Sequence, residues 1–199
     1  MYEVEVKLRA DHATLRDRLD ELGATRERAI EQVDRYYDAP HRDFAATDEA
    51  LRIRRVRRRD GEATAGADRR HGEGDGAEAR VTYKGPLVDD ASKTRLEHET
   101  GVEDGETVAD ILDALGFSPA ATVEKHREVY ALDGLTVVLD DVADLGEFVE
   151  VELESEDVDT ARERCFEAVR ALGLDPDDGI RTSYLGLLLD GDAPGDSPE

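Results

Sequence analysis

Two segments alternate apolar and charged residues with strict period two. In "EVEVKLR", Glu3, Glu5 and Lys7 alternate with Val4 and Val6; in "EFVEVELE", Glu150, Glu152 and Glu154 alternate with Val149, Val151 and Leu153. Period two is the signature of a β-strand with one buried face. Here the second face carries a row of carboxylates, so any fold must either turn that row to water or give it counter-charges.

Other segments repeat the pattern. In "EALRIRRV", Arg52 and Arg54 lie opposite Leu51 and Ile53, and in "LTVVLDDV", Thr136, Val138 and Asp140 share a face opposite Val137 and Leu139. For any one strand a solvated charged face is an ordinary outcome, because antiparallel sheets are often wet on one side. The distribution of lysine favours the other outcome. Only four of the 26 basic residues are lysine. Lys7, Lys84 and Lys125 lie in strands beside the charged runs, Lys93 lies at the edge of another, and none lies on an expected helix. If helices cover the apolar faces, the charged faces point inward. An interior holding Lys7, Arg52, Arg54, Lys84, Lys125 and Arg127 with several glutamates is tolerable only if wet, mutually paired or filled by a charged ligand.

The chain has 50 acidic and 26 basic residues, a net charge of −24, with 39% hydrophobic residues. The hydrophobic share is that of a folded domain. The acid excess argues against a nucleic-acid binder, whose affinity rests on cations meeting phosphates. With so little lysine it suggests a cytoplasmic protein of a halophile, in which dense carboxylates stay hydrated and salt screens their repulsion. The single cysteine, Cys165, excludes an internal disulfide and reads as a small core residue. No segment is long and apolar enough to cross a bilayer, so no membrane role is expected. The five histidines have no metal-site spacing.

The expected organisation is one domain over residues 1–189, a flexible loop insertion over 59–77 and a disordered acidic tail over 190–199. Helices are expected at 11–22, within "GETVADILDALGF", and at about 157–172 and 177–189, with a hairpin turn at Asp133-Gly134. The fold class is α+β: about eight mostly antiparallel strands closing into a barrel, with flanking and C-terminal helices.

The strand faces carry a definite chemistry. The pairs Glu3/Glu5 and Glu150/Glu152 offer hard oxygen donors suited to Mg2+ or Mn2+. The cations suit a polyanion such as a triphosphate, lysine as a point charge and arginine as a bidentate fork.

"EVEVKLR" resembles the ExExK signature of the CYTH superfamily, the triphosphate tunnel enzymes, which include class IV adenylyl cyclases and thiamine triphosphatases. "QVDRYYD", "TDEALRIRR", "YKGP", "SKTRLEHE", "VEKHREVY" and "LDDVADLGEFVEVELE" resemble successive blocks of its cyclase-like branch, in order, over about residues 2–188. The resemblance implies a closed eight-stranded tunnel. It also implies that Glu3, Glu5, Glu150 and Glu152 hold a divalent metal, and that Lys7, Arg52, Arg54, Lys84, Lys125 and Arg127 bind phosphate. Asp140 resembles an aspartate of the tunnel wall and joins Lys7, Lys125 and Arg127 as the expected catalytic set. Glu97 and Glu99 resemble positions that orient the cations or help hold a second ion, with Arg95 as their partner; Arg181 is placed at the tunnel mouth. The implied partner is a small-molecule triphosphate, with a homodimer open to such a chain. The leading expectation is ATP cyclisation to cyclic AMP and pyrophosphate. The alternatives are hydrolysis of thiamine triphosphate, tripolyphosphate or a nucleotide, and a non-catalytic polyphosphate-binding module.

Overall fold

The computed structural model describes residues 2–58, 78–87 and 95–191. The expected loop over 59–77 and most of the expected tail lie outside them. The strands are β1 (Tyr2–Arg9), β2 (Thr25–Asp38), β3 (Ala50–Arg58), β4 (Glu78–Leu87), β5 (Arg95–Val102), β6 (Ser118–Leu132), β7 (Leu135–Val142) and β8 (Gly146–Ser155). The helices are α1 (His12–Glu21), α2 (Phe44–Thr47), α3 (Gly105–Ala114), α4 (Val158–Ala171) and α5 (Tyr184–Gly191). All eight strands belong to one antiparallel sheet ordered β1-β8-β7-β6-β2-β3-β4-β5. Among the described residues no ladder joins β5 to β1. The α+β class stands, but the sheet is not closed by hydrogen bonds, and the expected closed barrel is corrected to that extent.

The described chain forms two compact units, Met1–Glu27 with Arg127–Glu199, and Arg28–His126. In the first, Val6 and Leu8 of β1, Val137 and Leu139 of β7, and Val149 and Val151 of β8 form an apolar face. Leu15 and Leu19 of α1, Cys165 and Val169 of α4, and Leu172 just after it cover it. Each such side chain contributes about 1.5–3 kcal/mol on burial. Helices therefore do cover the apolar faces of β1, β7 and β8, which leaves the charged faces on the other side of the sheet.

Local chemistry sets the helix ends. Asp11 caps α1 by accepting from the Thr14 amide at 2.8 Å, and Asp157 caps α4 by accepting from the Thr160 amide at 3.1 Å. The expected turn between β6 and β7 holds Asp133 at φ 49° and Gly134 at φ 76°, the two positive φ values of a type I′ hairpin. The helix expected over 177–189 is instead a 3-10 turn, Pro176–Asp178, then a break, then α5. At the break the Ile180 amide donates to the Lys7 carbonyl at 2.7 Å, which ties this segment to β1.

In the second unit, Tyr37, Phe44, Ile53 and Ala79 are buried. Gly105, the first residue of α3, sits so close to the sheet that a Cβ there would lie 3.1 Å from the Cβ of Ala79. No helix among the described residues is long and apolar enough to cross a membrane.

The net charge of −24 sets a stability condition. Self-repulsion destabilises the compact state when screening is weak. The melting temperature is expected to rise by roughly 10 °C between dilute buffer and molar KCl, what about 3–4 kcal/mol of relieved repulsion gives in a chain of this size. Buried ion pairs lose little to the same screening. A thermal melt followed by circular dichroism across a KCl series checks this; a melting temperature indifferent to salt contradicts it.

Candidate functional site

In the first unit the register of β1 on β8 places Glu5 directly across from Glu152 and Lys7 across from Glu150. Like charges directly opposite are destabilising in a sheet, so this pairing has a cost that folding alone does not explain. Carboxylate oxygens of Glu5, Glu150 and Glu152 lie within 4.8 Å of one another. Glu150 is buried, while Glu5 and Glu152 retain access to solvent. Three hard oxygen donors at this spacing are a set that a divalent cation of the Mg2+ or Mn2+ type can take, with positions left for water or phosphate. Glu3 lies in β1 across from Glu154, and its side chain is outside the described residues.

Two cations attend this row. Lys7 is buried, with Nζ 3.7 Å from Glu5 Oε1 and 4.6 Å from the ring centroid of Tyr184. Arg127, projecting from β6, donates from Nε to Asp140 Oδ1 at 2.7 Å and from Nη2 to Asp140 Oδ2 at 2.5 Å. The same Nη2 donates to Glu150 Oε2 at 2.6 Å, and Nη1 lies 4.0 Å from Glu152 Oε1. Burial opposes the charge on Arg127, but Asp140 and Glu150 outweigh it and hold the guanidinium well above its ordinary pKa. Both oxygens of Asp140 are bound by Arg127, which makes Asp140 a positioning residue. Glu5, Glu150, Glu152 and Asp140 thus gather on this face with Lys7 and Arg127 among them.

Tyr184, the first residue of α5, closes over this face, its ring 5.0 Å from that of Phe148. Burial and the charges of Glu150 and Asp140 push its phenol far up, so it stays neutral. The sequence analysis selected Arg181 from this segment. Arg181 is exposed, and the break after the 3-10 turn is what brings Tyr184 to the site.

In the second unit the registers set out the cationic face. Arg54 pairs with Asp34 and Arg80, Arg52 with Tyr36 and Thr82, and Lys84 with Ala50 and Glu97. Glu99 is across from Thr82. Asp34 is the hub. It accepts from Arg54 Nε and Nη2, both at 2.6 Å, and from Arg52 Nη1 at 3.4 Å. Burial raises its pKa, but the Arg54 hydrogen bonds and the charges of Arg54, Arg52 and Lys125 overcome this and lower it to about 2. Lys125 and Arg52 are buried. Lys84 Nζ lies 2.9 Å from Glu97 Oε2, and Glu99 accepts from Arg80 at 2.8 Å and from Thr82 Oγ1 at 2.9 Å. Glu97 and Glu99 therefore hold cations here. The side chain of Arg95 is outside the described residues.

Each unit thus has a buried aspartate that fixes an arginine, Asp140 for Arg127 and Asp34 for Arg54. Asp34 is not among the residues that the sequence marks for the site. Its parity in "QVDRYYD" matches Gln32 and Tyr36, but only the β2–β3 register shows that it meets Arg54.

With this geometry in place, residues 1–184 match the CYTH domain family, and the chain belongs to it. A Methanocaldococcus jannaschii protein named "Putative adenylate cyclase MJ0240" is 37% identical over 191 residues, covering 94% of this chain and 98% of that protein. The PH1819 protein of Pyrococcus horikoshii OT3 is 37% identical with a TM-score of 0.79, over 96% of this chain and 99% of that one. HpAC1 from Hippeastrum shares the fold at 18% identity and a TM-score of 0.65, over 96% of both chains, and its structure is described as revealing a dominant triphosphatase activity.

Proposed function

We propose that this chain is a Mg2+- or Mn2+-dependent enzyme that converts ATP to cyclic AMP and pyrophosphate. The observation that carries the reading is the carboxylate triad Glu5, Glu150 and Glu152, set beside Lys7 and Arg127. A pure anion binder has no use for that triad. Closure of the eight strands into a tunnel belongs to the same reading, on the family resemblance.

Glu5, Glu150 and Glu152, with Glu3 added by the resemblance, would hold the cation. A divalent ion held there would supply charge neutralisation at the phosphates. The protein's own groups bind and orient. Lys7, held between Glu5 and the Tyr184 ring, presents a point charge to a phosphate oxygen. Arg127 is fixed in direction by Asp140. On the family resemblance, Arg52, Arg54, Lys84 and Lys125 are further phosphate-binding cations; within the second unit Asp34 holds Arg52 and Arg54, and Glu97 holds Lys84. Cyclisation requires the ribose 3′-hydroxyl in line with the α-phosphorus. The nucleophile belongs to the substrate, so positioning and electrostatics carry the rate.

The other reading is a triphosphatase, in which water attacks the terminal phosphorus. The same cations serve both chemistries, and the triphosphatase activity described for HpAC1 is the reason to test it. Purified protein in molar KCl is given ATP, 3′-deoxy-ATP, thiamine triphosphate and tripolyphosphate, and the products are resolved by chromatography. Cyclic AMP from ATP, with no cyclic product from 3′-deoxy-ATP, is expected. ADP and orthophosphate alone from ATP, or tripolyphosphate cleaved far faster than ATP is cyclised, assigns the chain to the triphosphatases.

A further inference from the structure

We propose that Arg127 is the resident counter-ion of the carboxylate triad, occupying Glu150 until a divalent cation takes its place and so coupling metal binding to the release of a phosphate-binding group. The inference rests on the metal-dependent reading of the triad.

The sequence gives Arg127 to phosphate, yet the structure gives it to carboxylates. Its Nε and Nη2 are anchored on Asp140 at 2.7 and 2.5 Å, and Nη2 also reaches Glu150 Oε2 at 2.6 Å. An N–H that donates to Glu150 cannot donate to a phosphate oxygen at the same time. The two anchors differ in kind. Asp140 is fully buried and binds through both oxygens, a bidentate fork that fixes the guanidinium plane. Glu150 is met by a single N–H of Arg127, beside the Tyr184 phenol, and belongs to the triad whose oxygens lie within 4.8 Å of one another. Arg127 can therefore give up Glu150 without leaving Asp140. Lys7, at 3.7 Å from Glu5, offsets the other end of the triad with a looser contact.

Three carboxylates this close repel one another unless offset, and Arg127 meets two of them: Glu150 by a direct bond and Glu152 at 4.0 Å. A metal at the triad and Arg127 at Glu150 compete for the same oxygen charge. Once displaced, Arg127 stays aimed by Asp140 and has one further N–H to donate, beside those of Nη1. Metal and polyphosphate then favour each other beyond their direct contact, and the coupling is reciprocal.

The test is Mn2+ binding to the full chain without any phosphate present, read from the electron paramagnetic resonance signal of free Mn2+. Arg127→Met removes the competitor. Because it also takes the guanidinium from both oxygens of buried Asp140, Arg127→Met/Asp140→Asn is measured beside it as a variant that removes both charges. Both are expected to bind Mn2+ about tenfold more tightly than the unaltered protein, within the ordinary range of coupling between sites. A residue that merely orients Glu150 would move the affinity the other way. Affinity unchanged or weakened in the folded variants, with Mn2+ bound by the unaltered protein, overturns the counter-ion role and leaves the metal site standing. No Mn2+ bound by any of the three proteins overturns the metal site and the inference with it.

Discussion

Glu152→Gln is expected to lower turnover of the triphosphate by at least about a hundredfold, the scale of losing one electrostatic stabiliser in a site, while the melting temperature holds or rises. The two halves of this expectation have one cause. Glu152 faces Glu5 across β1 and β8, and like charges in that arrangement destabilise a sheet. Removing one charge relieves repulsion, so the fold does not suffer. The same removal takes a donor from the triad proposed to hold the cation. Glu5→Gln is expected to behave alike. A residue kept for stability would show the reverse, with the fold weakened and turnover preserved per folded molecule. Turnover at saturating Mn2+, beside a melting curve for each variant, checks both halves, and near-normal turnover by a folded variant removes Glu152 from the site.

The second large effect is at Asp34. Asp34→Asn is expected to destabilise the fold by about 3–5 kcal/mol, the usual cost of removing one partner from a buried ion pair. It leaves Arg54, Arg52 and Lys125 without the carboxylate they share. Tripolyphosphate should rescue part of the loss, because an anion supplies the missing charge, so the ligand should raise the melting temperature of the variant more than that of the unaltered protein. Acid adds a signature. The pKa of Asp34 falls from its ordinary 3.8 to about 2 on folding. A lowered carboxylate contributes stability that is fully present above its unfolded pKa and lost as pH falls through the folded one. The contribution, on the order of 2 kcal/mol, is present above about pH 4 and gone near pH 2. Glu99 and Glu128 are also lowered and act in the same direction. The difference between unaltered protein and Asp34→Asn isolates Asp34, and it should shrink between pH 5 and pH 2. A gap that holds constant over that range contradicts the assignment.

What could be read from the residues follows from how local each signal is. Period two in β1, β3, β7 and β8 separates Glu5, Lys7, Arg52, Arg54, Asp140, Glu150 and Glu152 from the apolar faces, because strand parity needs no knowledge of neighbours. Lysine confined to strands points to sheltered charged faces, and Lys7, Arg52 and Lys125 are buried. Signals that depend on which strand meets which were not legible. Asp34 gains its meaning only from the β2–β3 register, and Arg127 its carboxylate partners only from the placement of β6 beside β7. Tyr184 was hidden by reading 177–189 as one helix. Barrel closure was inferred from strand count and family resemblance, and strand count does not determine whether the edges of β1 and β5 hydrogen-bond.

The central claim is that charged strand faces act on a triphosphate through a divalent cation held by carboxylates. The most direct measurement is 31P nuclear magnetic resonance of ATP incubated with the purified chain in molar KCl, with Mg2+, with Mn2+ and with chelator. The account predicts pyrophosphate and the cyclic phosphodiester resonance appearing with either metal and ceasing when chelator is added. ATP left intact by folded protein in both metals, or converted equally well in chelator, contradicts it.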